Sequence, residues 1–99
     1  MSGNPLDVFA QLDPELLKRL GEAHALDLSD GALPKRTKLL MVMAIDACLG
    51  SFHGVRALAE QAMQAGATRQ EVAEAIRVAY YVGGASALYT AGRGLEGLS

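Results

Sequence analysis

An unbroken run of seven apolar residues, at positions 39–45, restricts the possible folds of this chain more than any other feature. A helix formed by such a run is apolar on every side, so it belongs at the centre of a bundle. A buried strand is the alternative explanation of a run this short. The lysine-rich segment before the run and the Asp46-Ala47-Cys48 continuation after it favour a helix. We therefore predict a buried central helix that opens at Pro34 and stops at Gly50.

Helix start and stop signals elsewhere predict four more helices, making about five in all. The predicted boundaries are Asp13-Pro14-Glu15 to Leu28, Pro34 to Gly50, Ser51 to Gly66, Thr68 to Gly83-Gly84, and Ala85 to the chain end. Residues 1–12 are expected to form a short helix or an arm that packs on a neighbour. The sequence thus predicts an all-α bundle, one domain over residues 1–99, in which helices joined by short loops are antiparallel neighbours.

The composition and charge of the chain indicate which classes of partner such a bundle would have. Apolar residues make up 51% of only 99 residues, more than a domain of this size buries alone, so a homo-oligomer is expected. The net charge is −2 and no basic run exceeds two residues, which argues against nucleic acid as a partner. There is no signal-peptide pattern and no apolar run long enough to span a bilayer. We therefore expect a cytoplasmic protein with no membrane partner.

Residues 44–54 hold the candidate catalytic groups. They contain Cys48, the only cysteine, together with His53 and Asp46. A thiol beside an imidazole forms a reactive thiolate. We predict Cys48 as nucleophile or redox thiol, His53 as base and Asp46 as orienting group.

Each of these residues also has a structural explanation. A lone cysteine in an apolar context such as Cys48 is more typical of a small buried side chain, and His53 near a helix start is more typical of a surface or interface residue. Asp46 is typical of a structural ion pair, with Arg56 or Arg77 as partner, or of a cap for a neighbouring helix. His24, on the first helix, is expected to be partly buried packing. The cysteine and the histidines lack metal-ligand spacing, so neither a metal nor a cofactor is predicted.

Two segments and a glycine pair carry a resemblance to a known family. Residues 37–45 read TKLLMVMAI, residues 62–76 read AMQAGATRQEVAEAI, and Gly83-Gly84 follows. They resemble the carboxymuconolactone decarboxylase family, which includes the alkylhydroperoxidase-D-like proteins. The family reads approximately T-K-E-L-I-A-L-A-I, then a Cys-x-x-Cys-x-x-x-His helix, then A-L-x-A-G-A-T-x-E-E-V-x-E-A-I and a glycine-containing break.

The resemblance implies a helical protein that assembles into trimers to hexamers. It also implies one of two activities. The alkylhydroperoxidase branch has peroxiredoxin activity, an antioxidant oxidoreductase chemistry in which two cysteines form the redox pair and a Glu and a His relay protons. The decarboxylase branch lacks the cysteine pair and handles a lactone acid.

This chain departs from the family motif at every functional position. Counting back from Gly66 without a gap, the two cysteine positions fall on Ser51 and Gly54, the histidine on Leu58 and the upstream Glu on Leu39. A single cysteine cannot form a dithiol pair. Two hypotheses follow: a divergent enzyme acting on a peroxide or a small organic acid, or a non-catalytic oligomeric scaffold or small-molecule-binding protein.

Overall fold

The structure is a computed structural model that describes residues 5–98, and within that range it is all α. A 3-10 turn, Pro5–Val8, precedes six α-helices: α1 Phe9–Leu12, α2 Pro14–Asp27, α3 Lys35–Cys48, α4 Phe52–Gln64, α5 Arg69–Gly83 and α6 Ala85–Leu95. The five predicted helices correspond to α2–α6. The all-α prediction is confirmed. Of the predicted N-terminal segment, residues 5–12 form the turn and the short α1, and residues 1–4 lie outside the described residues.

Local side-chain chemistry sets the helix ends. The Asp13 carboxylate accepts the Leu16 N–H at 3.0 Å, which caps α2. Before α5, the Thr68 hydroxyl accepts the Glu71 N–H at 3.0 Å and the Glu71 carboxylate accepts the Thr68 N–H at 2.8 Å, which completes a capping box. Gly84, with φ +68°, separates α5 from α6.

Helices α3–α6 form a four-helix bundle that buries two clusters of apolar side chains. Its fully buried side chains come from all four helices: Leu39, Met43, Ala47, Val55, Ala59, Ala62, Val72, Ala79, Ala87 and Ala91. Alanine at most of these positions lets the helix axes approach closely. Helices α4 and α6 approach closely at Gly94, where a Cβ atom would lie 2.6 Å from the Phe52 carbonyl oxygen of α4.

The structure corrects the prediction that α3 is buried on every side. Leu39, Met43 and Ala47 are 1% exposed or less, whereas Met41 and Ile45 are 49% and 57% exposed. The buried residues recur every four positions and face α4–α6, and the other two lie on the opposite side. One apolar stripe of the central helix is therefore uncovered in the single chain.

Helix α2 is not the packed neighbour that the sequence predicted. It contacts α1 and makes few contacts with the four-helix bundle, and none of its residues is buried. Leu12, Leu16 and Leu26 are 72%, 41% and 74% exposed. Leu28, directly after α2, packs against the buried cluster of Leu39, Ala62 and Ala67. We refer to residues 5–27 as the arm. None of the helices in residues 5–98 is long and apolar enough to cross a membrane.

Candidate functional site

The seam between α3 and α4 places Asp46 against Gly54. A Cβ atom at position 54 would overlap the Asp46 Oδ2 atom and would lie 2.8 Å from the Ser51 Oγ atom. The carboxylate and the hydroxyl therefore approach the same point on the first turn of α4. The sequence predicted Ser51 as the helix cap, but its hydroxyl makes no capping hydrogen bond. Glycine at position 54 creates the space that the Asp46 side chain occupies.

Asp46 lies in an environment that favours its neutral form. Partial burial desolvates the carboxyl group and raises the pKa of Asp46 above its ordinary value of 3.8. In the described part of the chain no cation pairs with it, because the two ion pairs there are Arg19–Glu15 and Arg56–Glu60. The suggested pairing of Asp46 with Arg56 or Arg77 is therefore wrong. A carboxyl group with a raised pKa and no counter-ion is suited to accepting and donating a proton.

Cys48 faces a different part of the bundle. Its thiol donates a hydrogen bond to the Ala79 carbonyl oxygen on α5 at 3.4 Å. A Cβ atom at Gly83 would lie 2.9 Å from the Cys48 Sγ atom, so the thiol fits over that glycine. Residues two apart on a helix point about 200° apart, which is why Cys48 and Asp46 diverge. The thiol is half-buried and adjoins the core.

His53 is exposed at the start of α4. Its ring lies on the Phe52 ring, with centroids 4.2 Å apart at an angle of 38°. The Arg93 guanidinium also lies over Phe52, 4.2 Å from the ring centroid. Among residues 5–98, no hydrogen bond or ion pair connects His53 to Cys48 or Asp46. The structure brings Asp46 to Ser51 and Gly54 and gives the other two residues separate surroundings, so their catalytic roles stay predictions.

Leucines occupy the positions that the family pattern gives to its Glu and His. Leu39 is 1% exposed and forms a cluster with Ala62 and Ala67, and Leu58 and Leu28 pack against this cluster. Two leucines in one cluster cannot relay a proton. At the two positions that the ungapped count from Gly66 assigns to the family's Glu and His, this chain therefore has apolar packing.

A cavity of about 360 Å³ lies between α2 and the α3–α4 seam. It is lined by His24, Asp27, Leu28, Val42, Leu58 and Gln61. Val42 lies one turn before Asp46 on α3, and Leu58 lies one turn after Gly54 on α4, so the cavity continues the seam at which Asp46 lies. We call it the seam pocket.

Sequence reasoning missed His24 and Asp27 as site residues. It assigned His24 to partly buried packing, but the side chain is exposed at the rim of the seam pocket. Their three-residue spacing near the end of a helix was the available signal. This spacing indicates a site only together with the position of α2 beside the α3–α4 seam. Residues 5–98 contain no group of three or more His, Cys, Asp or Glu side chains placed to hold a metal ion.

The family model for the carboxymuconolactone decarboxylase family matches residues 14–95. The chain belongs to the carboxymuconolactone decarboxylase family. A crystal structure of an apo carboxymuconolactone decarboxylase family protein from Legionella pneumophila is similar to this family member, with a TM-score of 0.84 and 31% sequence identity. The similarity covers 92% of this chain and 81% of that chain. A search of curated proteins found no match.

Proposed function

We propose that this carboxymuconolactone decarboxylase family member catalyses proton transfer on a small organic substrate, with the Asp46 carboxyl group as the acid–base residue. The carrying observation is the Asp46 environment: a partly buried carboxyl group without a counter-ion among the described residues, beside the Ser51 hydroxyl and in the space left by Gly54. The role proposed for Asp46 thus changes from orienting group to base. Ser51 is the neighbouring hydroxyl that would hydrogen-bond the substrate or the carboxylate.

Peroxide chemistry has less support from the same residues. Reduction of a hydroperoxide by Cys48 would convert its thiolate to a sulfenic acid and release the alcohol or water. A second thiol would then have to reduce the sulfenic acid, and Cys48 is the only cysteine in the chain. Its thiol is also half-buried and hydrogen-bonded to the Ala79 carbonyl oxygen. Peroxiredoxin activity remains the second candidate, with an added thiol as the necessary reductant.

Decarboxylation of a small organic acid uses the same Asp46 group in its protonated form. The bond between the substrate carbon and its carboxylate breaks, and carbon dioxide leaves. The electron pair stays on the carbon, which takes the Asp46 proton, and water restores that proton. This step requires no redox partner, so a single-cysteine chain meets its chemical requirements.

Self-association belongs to the proposal. Large apolar side chains are exposed in three segments of the single chain: Met41, Ile45 and Leu49 at α3, Val78, Tyr81 and Val82 on α5, and Leu12, Leu16 and Leu26 on the arm. Patches of this kind mark protein interfaces in soluble proteins. We expect a homo-oligomer in the trimer-to-hexamer range. The cytoplasmic location expected from the sequence stays a prediction.

A generic proton-abstraction probe tests the role of Asp46 without knowledge of the natural substrate. A base removes the ring proton of nitrobenzisoxazole, the N–O bond breaks, and a coloured phenolate forms. We expect the native protein to accelerate this reaction and Asp46→Asn to lose most of the acceleration, on the order of 10²-fold. The control Glu74→Gln removes an exposed carboxylate on α5 and should leave the rate unchanged.

Further assays and variants distinguish the competing chemistries. Cys48→Ala and His53→Ala should retain the Asp46-dependent rate of nitrobenzisoxazole cleavage. Decarboxylation of an organic acid is tested with carboxymuconolactone as the substrate. Consumption of cumene hydroperoxide in the presence of dithiothreitol tests the peroxide chemistry. Hydroperoxide consumption that disappears in Cys48→Ala, together with a nitrobenzisoxazole rate that is unaffected by Asp46→Asn, would contradict the proposal in favour of thiol chemistry. A native protein inactive in all three assays would favour the non-catalytic alternative.

A further inference from the structure

We propose that the arm of one copy of this chain packs, with α2 antiparallel to α3, on the uncovered side of α3 in a second copy. The inference rests on the proposed function only for self-association, and it does not depend on the chemistry assigned to Asp46. Each copy has both surfaces, so one copy can give an arm and receive one.

One side of α2 carries a row of side chains that begins apolar and ends with an acid. Its four members lie on one helix face because they recur at spacings of four, three and four residues: Leu16, Leu20, Ala23 and Asp27. We call them the arm row. The three apolar members line neither the hollow between α2 and the bundle nor the seam pocket, and Leu16 is 41% exposed. The chain's own bundle therefore leaves them available to another molecule.

The uncovered side of α3 carries a row of the same length. Its members recur at spacings of three, four and four residues: Lys38, Met41, Ile45 and Leu49. We call them the α3 row, and its three apolar members are exposed. In each row the first and last members are eleven positions apart, which corresponds to three turns and about 16 Å of helix. The two rows therefore match in length and in apolar character.

Charge determines the direction in which the rows pair. Residues 5–27 contain five acids and two bases, a net charge of −3, whereas Lys35, Arg36 and Lys38 place three bases at the start of α3. The helix dipole disfavours cations at that end, and it disfavours an acid such as Asp27 at the last residue of α2. Antiparallel packing brings these two ends together, so each offsets the other.

The charges at these ends have no ion-pair partner in the described part of the chain. The two ion pairs there are Arg19–Glu15 and Arg56–Glu60. The Lys38 ammonium donates a hydrogen bond to the Ser29 carbonyl oxygen at 2.8 Å, and an ammonium group has two further donors. A carboxylate from a second copy can therefore bind Lys38 without displacing that contact.

Antiparallel packing pairs the members of the two rows one to one. The four pairs are Leu16 with the partner's Leu49, Leu20 with the partner's Ile45, Ala23 with the partner's Met41, and Asp27 with the partner's Lys38. Three pairs are apolar, and the fourth joins a carboxylate to an ammonium group. Parallel packing would instead place both charged groups against leucines, which is unfavourable.

The arm does not cover the α3 row of its own chain. Met41, Ile45 and Leu49 are exposed with α2 in place. The loop between the helices holds that arrangement, because Leu28 packs against the buried cluster of Leu39 and the Asp30 carboxylate accepts the Lys35 N–H at 2.7 Å. The available α3 row for the arm is therefore that of another copy.

Paired cysteines test this register in the full-length chain. In a Cys48→Ala background, Leu16→Cys and Leu49→Cys are combined and the protein is oxidised with copper phenanthroline. A disulfide requires Cα atoms within about 7 Å, so we expect disulfide-linked dimers or larger species on a denaturing gel. The control pair Leu16→Cys and Met41→Cys is displaced from this register by about 12 Å along α3. It should cross-link at least about tenfold more slowly.

A charge on the arm tests the same contact without cysteines. We expect Leu16→Lys to weaken self-association at least about tenfold in sedimentation, because its ammonium group would be buried against the partner's Leu49. The matched control Ala25→Lys introduces the same charge at an exposed position on the opposite side of α2 and should leave the assembly intact.

The possible failures are distinguishable. A native protein that sediments as a monomer contradicts the proposed self-association and this inference together. A native oligomer in which the Leu16→Cys and Leu49→Cys pair links within one chain, or links no faster than the control pair, overturns only the packing of the arm. An assembly that is lost in Val82→Lys but unchanged in Leu16→Lys overturns it in favour of an interface on α5.

Discussion

The Asp46 carboxylate occupies the position that the side chain of any residue larger than glycine would need at Gly54. This relationship joins the last turn of α3 to the first turn of α4, and it places an acid beside Gly54, to which the ungapped count assigns the second cysteine of the family pattern. Glycine inside a helix is normally unfavourable by about 1 kcal/mol relative to alanine. At Gly54 that cost is offset by the space it gives to Asp46.

Gly54→Ala tests this contact. We expect it to lower the free energy of unfolding by about 1–3 kcal/mol, because the new methyl group overlaps the carboxylate. In an Asp46→Ala background the same change should be neutral or stabilising, since the remaining neighbour, the Ser51 hydroxyl, can rotate away. Urea denaturation of the four proteins of this double-mutant cycle gives the coupling energy. Equal effects of Gly54→Ala in both backgrounds would show that Asp46 does not constrain position 54.

The raised pKa of Asp46 predicts a pH-dependent stability. The folded state holds the Asp46 proton more tightly than the unfolded state, so the free energy of unfolding falls as pH rises from 3.8 through the folded-state pKa. The stabilising contribution is complete below 3.8 and absent above the folded-state pKa. Asp46→Asn removes this titration. We expect the variant to gain stability relative to the native protein across that interval and to keep the gain at neutral pH.

Urea denaturation at a series of pH values measures this difference. A stability difference between Asp46→Asn and the native protein that does not change with pH would contradict a raised pKa at Asp46. A difference that shrinks as pH rises would indicate the opposite shift.

Two glycines on α6 form a matched pair for helix packing. A Cβ atom at Gly94 would lie 2.6 Å from the Phe52 carbonyl oxygen and 3.0 Å from the Val55 Cβ atom, whereas one at Gly92 would have no neighbour within 4 Å. We expect Gly94→Ala to destabilise the protein by about 1–3 kcal/mol. Gly92→Ala should stabilise it by about 0.5–1 kcal/mol through helix propensity. Thermal unfolding distinguishes the two, and a stabilising Gly94→Ala would show that α4 and α6 are not in close contact there.

The hydrogen bond from Cys48 to the Ala79 carbonyl oxygen predicts that the thiol reacts slowly with thiol reagents. We expect dithiobis(nitrobenzoate) to react with the native protein at least about tenfold more slowly than with the urea-unfolded chain, because the thiol is half-buried and packed over Gly83. If dithiobis(nitrobenzoate) reacts quickly with the native protein, at a rate independent of unfolding, Cys48 is a reactive thiol and its role as nucleophile is supported.

The uncovered stripe on α3 predicts the effect of a charge at Ile45. We expect Ile45→Lys to shift the protein from an oligomer towards a 10.4 kDa monomer in sedimentation, because a lysine ammonium is costly to bury in an interface. Gln64→Lys introduces the same charge at an exposed position of α4 and should leave the assembly intact. A native protein that sediments as a monomer would contradict the oligomer prediction directly.

Features governed by neighbouring residues could be predicted from the sequence. The Asp13 cap, the Thr68–Glu71 capping box and the stop at Gly84 each depend on a few adjacent positions, and the structure contains all three. The exposed side of α3 could not be predicted, because seven consecutive apolar residues contain no periodicity to show which face is uncovered. The separation of α2 from the bundle is likewise determined by tertiary contacts that amphipathic spacing does not specify.

In the candidate site too, features that depend on sequence position could be predicted and features that depend on tertiary contacts could not. Counting along the family motif identified Ser51, Gly54 and Leu58 as departures from it. This comparison needs only the sequence positions counted back from Gly66. The contact between Asp46 and Gly54 depends on how α3 and α4 cross, so the sequence suggested a salt bridge for Asp46 instead. His24 and Asp27 join the site through the path of the arm, and nothing in their immediate sequence predicts that path.

Because α2 buries none of its own residues, it contributes to the pocket wall without contributing to the core. Substitutions at its pocket-facing positions, 24 and 27, should change what the pocket binds with little effect on whether the four-helix bundle folds. The two polar lining residues that α2 contributes, His24 and Asp27, are thus separate from the residues that form the core. A chain organised in this way can change its ligand through mutations in the arm, whether in evolution or by design, while the bundle that holds Asp46 stays the same.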